Sequence, residues 1–287
     1  MVDVSDGDFY VLDVFRVIGG KDHAKFVHSH YGQITPTGLS LKPTRPYGHG
    51  TQMRNFRGDP SPKPGWSVDW TVDDRNRFLP EGTPVHLRYT DLTPDARACT
   101  AEGWVVAGIY NSTVESWIPR LMVRRQAQEA PLASTFVAVI EPYGKTSNIA
   151  AIRRLTLETA SGTPYADNNV AVEVRLADGR RDLIVAADIE NPLKLSPSRT
   201  KDGRLVQKDW NATLDGELCL VRQDQSGKPR RIAWCRGKSI DAGNVQLRSK
   251  TPCDLIEVRW DEQGKASVAP GLPEEVKKGV SITTVGR

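Results

Sequence analysis

Trp66-Ser67-Val68-Asp69-Trp70-Thr71-Val72 carries an apolar side chain at every second position. A period of two puts Trp66, Val68, Trp70 and Val72 on one face of a β-strand and Ser67, Asp69 and Thr71 on the other. The same alternation returns in Val85-His-Leu-Arg-Tyr89, Asn169-Val-Ala-Val-Glu-Val-Arg175 and Leu255-Ile-Glu-Val-Arg-Trp260. Turn formers separate such runs: Asp59-Pro60, Glu81-Gly82, Lys201-Asp202-Gly203 and Ser226-Gly227. Ala177-Asp178-Gly179-Arg180 between two strand runs predicts a hairpin. Many strands joined by short turns predict an all-β chain, a large antiparallel β-sandwich of the supersandwich type.

Asp8-Phe-Tyr-Val-Leu-Asp-Val-Phe-Arg-Val-Ile18 is apolar on both faces apart from Asp13 and Arg16, which predicts a central strand covered on both sides. A central strand so close to Met1 implies that further structure precedes it. The polar, Pro- and Ser-rich stretch 190–200 is the softest boundary. It divides the chain into a main sandwich over 1–189 and a C-terminal β subdomain over 190–287 that completes it.

The chain has 287 residues, 39 basic and 35 acidic, for a net charge of +4. That mild excess suits an anionic ligand and falls short of the dense basic stripe of a nucleic-acid binder. No apolar run approaches the ~20 residues of a membrane span. Met1 is followed at once by Asp3, Ser5, Asp6 and Asp8, which is not a signal peptide. Cys99, Cys219, Cys235 and Cys253 form no Cys-x-x-Cys pair and read as buried or half-buried thiols.

Four of the five histidines, at 23, 28, 30 and 49, fall within 27 residues. Lys25-Phe-Val-His-Ser-His-Tyr31 reads as a strand, on which His28 and His30 share one face with Phe26, their Cα atoms roughly 6.5 Å apart. Two imidazoles at that spacing can flank one substrate group or converge on one metal ion. Zinc needs three or four N, O or S ligands. His30 is the first candidate, with His49 on the glycine-flanked turn Pro46-Tyr-Gly-His-Gly50 and Asp69 as a carboxylate ligand. Asp69 also reads as an ordinary exposed strand carboxylate, and His86, beside Arg88, as a solvated histidine. Arg54 and Arg57, and the group Arg120, Arg124 and Arg125, suit carboxylate or sulfate contacts, although such residues more often form a solvated face. Trp66, Trp70, Trp104 and Trp117 can stack on sugars, but in sandwiches aromatic residues are usually core.

The run Tyr10-Val-Leu-Asp-Val-Phe-Arg-Val-Ile-Gly-Gly-Lys-Asp-His-Ala-Lys-Phe-Val-His-Ser-His30 resembles the start of the C-terminal β domain of heparinase II/III-like polysaccharide lyases. Tyr47-Gly-His-Gly-Thr-Gln-Met-Arg-Asn55, Pro64-Gly-Trp-Ser-Val-Asp-Trp70 and Arg88-Tyr-Thr-Asp-Leu-Thr93 resemble later parts of it. The likeness covers residues 8–125. It implies β-elimination at a uronic acid of an anionic polysaccharide, in the periplasm or outside the cell. That reaction needs the carboxylate neutralised, a base for the C5 proton and an acid for the leaving O4. By resemblance His28 reaches the cleft as a catalytic residue, and His30 helps hold zinc. His23, Tyr47, Arg54 and Arg57 become the residues expected to contact substrate. The resemblance also implies an N-terminal α/α toroid domain that carries the main tyrosine, which leaves these 287 residues inactive by themselves. The family's acidic zinc ligand has no evident match, since Tyr47 and His49 occupy its neighbourhood.

A non-catalytic carbohydrate-binding sandwich is the second reading. A cupin-like metal enzyme is the third. Gly20 followed by His28-Ser-His30, with Pro46 and Gly48 downstream, resembles a cupin site, but the expected glutamate is missing from Tyr31–Pro36.

Overall fold

A computed structural model describes residues 1–106, 115–192, 194–195, 204–252, 254–269 and 273–284. The chain is all-β, with antiparallel pairing throughout its described sheets. It divides into two compact units, Met1–Asn148 and Ile149–Arg287. No helix among the described residues is long and apolar enough to cross a membrane.

The first unit contains β1 (Val2–Asp3), β2 (Phe9–Ile18), β3 (Asp22–Val27), β4 (Gly32–Thr37), β5 (Lys42–Pro43) and β6 (Met53–Asp59). It continues with β7 (Ser67–Val72), β8 (His86–Asp91), β9 (Arg97–Val106), β10 (Glu115–Gln126) and β11 (Ala133–Tyr143). One sheet runs β1-β2-β11-β8-β7-β4 and the other β3-β10-β9-β6-β5. Their inward faces meet in a core of Trp66, Val68, Trp70, Tyr89 and Phe136 from the first sheet with Ala98, Leu121 and Val123 from the second. Trp66, Val68 and Trp70 are the predicted apolar face of that run, and all three are buried.

Two expectations need correction here. β2 is not central. Beyond Phe9 and Tyr10, where two-residue β1 pairs with it, its only strand partner among the described residues is β11. Phe15 and Ile18 are accordingly exposed. The domain border also lies elsewhere, between β11 and the next strand, and not at 189/190. The stretch 190–200, part of which lies outside the described residues, interrupts no unit, because the strands before and after it pair with each other.

The second unit begins with β12 (Ile149–Leu155), β13 (Val170–Leu176), β14 (Arg181–Ala186), β15 (Leu205–Gln207), β16 (Ala212–Leu214) and β17 (Leu218–Gln223). It ends with β18 (Pro229–Cys235), β19 (Ser239–Ala242), β20 (Val245–Ser249), β21 (Ile256–Trp260), β22 (Ala266–Val268) and β23 (Val280–Thr284). Its sheets run β12-β13-β14-β17-β18-β21-β22 and β15-β16-β19-β20-β23. Leu183, Val221, Ile232, Trp234 and Ile256 of the first pack on Leu205, Leu214, Ile240 and Leu247 of the second. The hairpin at 177–180 forms as expected, with Gly179 at φ +86° joining β13 to β14.

One buried group gives the first unit a pH dependence. Asp91 is fully buried and accepts hydrogen bonds from the Tyr89 hydroxyl at 2.7 Å and the Thr93 backbone N–H at 2.9 Å. Burial outweighs these bonds and pushes its carboxyl up from 3.8 to about 6. Between those values the folded state binds the proton and the unfolded state has released it. The stabilisation is therefore complete below about pH 3.8 and is lost as pH rises through about 6. The difference is worth about 3 kcal/mol. Urea unfolding of the first unit, compared with Asp91→Asn across pH 4 to 7, should show this loss in the parent and not in the variant. Parallel curves would refute it.

Candidate functional site

β3 ends at Val27, so His28 and His30 do not lie on a strand. They occupy the four-residue link between β3, the edge of one sheet, and β4, the edge of the other. Gly32 closes this link. Its φ is +139°, and a Cβ there would sit 2.1 Å from the Thr71 carbonyl oxygen of β7. Gly32→Ala should therefore cost about 2–3 kcal/mol by prising β4 from β7. A denaturant midpoint within error of the parent would contradict this.

The five histidines meet different fates. His23 on β3 is buried, with Nδ1 2.9 Å from the Ser134 hydroxyl and Nε2 2.6 Å from the Gly19 carbonyl. The carbonyl can only accept, so Nε2 carries the proton and Nδ1 accepts from Ser134. Both nitrogens are used, and His23 pins β3 to β11; it is not a substrate contact as expected. His28 is exposed, its Nδ1 3.2 Å from the Ser29 carbonyl, and Nε2 has no hydrogen bond among the described residues. His30 Nε2 lies 3.2 Å from Asn76 Nδ2, while Nδ1 is buried without a partner. Its ring stands edge-on to Tyr31 at 4.8 Å. His49 is exposed on its glycine-flanked turn.

Asp69 does project from the polar face of β7, but its oxygens are taken. Oδ1 accepts from His86 Nδ1 at 2.9 Å, and Oδ2 accepts from Arg88 Nε at 3.0 Å and from the Tyr143 hydroxyl. His86 stacks on Tyr143 at 4.8 Å, and Arg88 also donates to the Tyr143 oxygen at 2.9 Å. Three donors take up three of the roughly four lone-pair positions of this carboxylate. His30, His49 and Asp69 do not assemble, and no group of three His, Cys, Asp or Glu among the described residues is placed to hold a metal ion.

The Asp69 network is what the sequence reading missed. Register sets Asp69 directly opposite Arg88, and Tyr143 directly opposite His86. The legible signal was that His86 and Arg88 share the polar face of β8, but finding their partner required knowing that β7 pairs with β8. The arrangement fixes His86 with Nδ1 donating to a carboxylate and Nε2 unbonded among the described residues, the orientation of a general base. Burial, and then Asp69, push the Tyr143 phenol up to about 12, so it is protonated and a donor at neutral pH.

Arg54 donates to Glu102 at 2.8 Å and lies over the Trp117 ring at 4.0 Å. Arg57 donates to the Leu41 carbonyl at 3.0 Å. Tyr47 meets the Phe26 ring at 5.3 Å and the Arg124 guanidinium at 4.7 Å. Strand alternation splits the arginine group: Arg124 is paired with Arg97 on one face of β10, and Arg125, opposite His23, points to the other. Cys99, Cys219 and Cys235 are free thiols, and burial pushes Cys99 up to about 11, far from a nucleophile at neutral pH. Cys253 lies outside the described residues. No family model and no curated protein matches the chain.

Proposed function

We propose that the chain is the β-sandwich part of a heparinase II/III-like lyase that acts on uronate-containing anionic polysaccharide, working in the periplasm or outside the cell. The carrying observation is His28. It stands exposed on the link between the two sheets, with Nε2 open to an external substrate and Nδ1 held by its own backbone. In β-elimination such a group can neutralise or polarise the uronate carboxylate while a tyrosine on a helical toroid domain takes the C5 proton. No step of this reading is routed through zinc.

A non-catalytic carbohydrate-binding role is the second reading. It is favoured because His28 has no acid or tyrosine partner among the described residues. Incubation of the 287 residues with uronate polymers should give no rise in the ultraviolet absorbance of a new C4–C5 double bond, while affinity electrophoresis shows retention. With the toroid domain supplied, turnover should appear, and His28→Ala should lower it at least 100-fold, the low end for a lost acid–base group. Robust turnover by the chain alone would overturn the division of labour. Failure to be retained by any uronate polymer would overturn both readings.

A further inference from the structure

The outer face of the sheet β3-β10-β9-β6-β5 holds a pocket of about 290 Å³ within the first unit. Register builds its floor: Met122 lies opposite Cys99, Cys99 opposite Gly58, and Gly58 opposite Lys42. Gly58 keeps that floor open, since a Cβ there would press on Thr44 at 3.1 Å. Tyr47 forms an aromatic wall.

Four cations line the pocket: Lys42, Arg45, Arg97 and Arg124. Arg124 is held by Asp22 through two guanidinium nitrogens. Lys42, Arg45 and Arg97 are exposed and have no ion pair among the described residues. Arg97 stands directly opposite Arg124, a like-charge placement that destabilises a sheet. The one acid among the lining residues, Asp59, offsets one of these charges and leaves the balance positive. Its Oδ2 accepts from the Ser40 N–H at 2.7 Å and its Oδ1 from the Ser61 N–H at 3.1 Å. Like charges gathered round a concave, partly apolar floor focus a positive potential that an anion relieves.

We infer that this pocket binds an acidic sugar unit, its carboxylate or sulfate facing Lys42, Arg45 and Arg97 and its ring against Tyr47. The size suits one small ring. The sugar assignment rests on the polysaccharide reading above; the anion preference rests on the pocket itself.

Calorimetric titration of the whole chain with a glucuronate-containing tetrasaccharide, its methyl ester and inorganic sulfate tests this. The charged tetrasaccharide should bind, and the neutral ester at least ~10-fold more weakly, the loss expected of one charge-assisted hydrogen bond. The double variant Lys42→Gln/Arg97→Gln should lose at least ~10-fold, with an unchanged circular dichroism spectrum, since neither side chain has a partner to lose. Undiminished binding by the double variant would overturn the pocket and leave the lyase reading standing. Binding without any double-bond formation, even with a toroid domain supplied, would sink the lyase reading and leave the pocket. Sulfate binding with no binding of the tetrasaccharide would overturn the sugar assignment.

Discussion

Asp182→Ala is expected to destabilise the unit Ile149–Arg287 by about 3–5 kcal/mol, the range for leaving one partner of a buried ion pair uncompensated. Asp182 on β14 is fully buried, and Arg222 on β17 is its direct cross-strand partner, 7% exposed. The two guanidinium bonds, from Nε and from a terminal nitrogen, are both 2.7 Å long. Removing the carboxylate takes two hydrogen bonds and the nearest opposite charge from a buried guanidinium, and arginine cannot release its proton to escape. The double variant Asp182→Leu/Arg222→Met should recover most of the loss, because the cost lies in the unpaired charge and not in the absence of the pair. Hydrogen-exchange mass spectrometry reads the effect unit by unit. Peptides of β13, β14 and β17 should lose protection together. A loss below about 1 kcal/mol would mean that other groups compensate Arg222.

Trp70→Ala should be of similar size in the first unit, about 3–5 kcal/mol, as expected for emptying a large aromatic site. Trp70 is fully buried on β7, within the core shared by both sheets and next in sequence to Asp69. Its indole N–H is buried with no hydrogen-bond partner. Trp70→Phe removes that unpaired donor together with part of the ring, so its cost should stay below about 1.5 kcal/mol. Guanidinium unfolding separates the two outcomes. Equal losses for Ala and Phe would show that the N–H is satisfied in solution, for example by an internal water. Because Trp70 neighbours Asp69, the Ala variant should also loosen the His86–Asp69 bond, visible in the imidazole resonances of His86.

How far the sequence could be read depends on which forces are local. The strands Ser67–Val72, His86–Asp91 and Val170–Leu176 were legible because alternation is set by the backbone itself: successive side chains must point apart. The hairpin at 177–180 was legible because Gly179 accommodates a positive φ that most residues resist. Strand ends were not. Nothing in Phe26-Val27-His28 announces that pairing with β10 stops at Val27, and that one boundary moved His28 and His30 from a strand face to a link.

The site suffered more than the fold for the same reason. His23, read as a substrate contact, became an interior pin only because β11 brings Ser134 to it across 111 residues. Asp69, read as a metal ligand, met His86, Arg88 and Tyr143 from two other strands. Of the pocket's cations and its aromatic wall, the sequence singled out Tyr47 and, in its arginine group, Arg124; Lys42 and Arg97 join them by register alone.

By itself, then, the sequence determined that this chain is built of antiparallel strands, which faces of those strands are apolar, and that a mild positive charge favours an anionic ligand. The tertiary structure alone decided where one unit ends, which histidines are satisfied and which are open, and where the cations converge. Periodicity is a property of neighbours along the chain, whereas a hydrogen bond or a like-charge cluster belongs to residues that only strand pairing brings together.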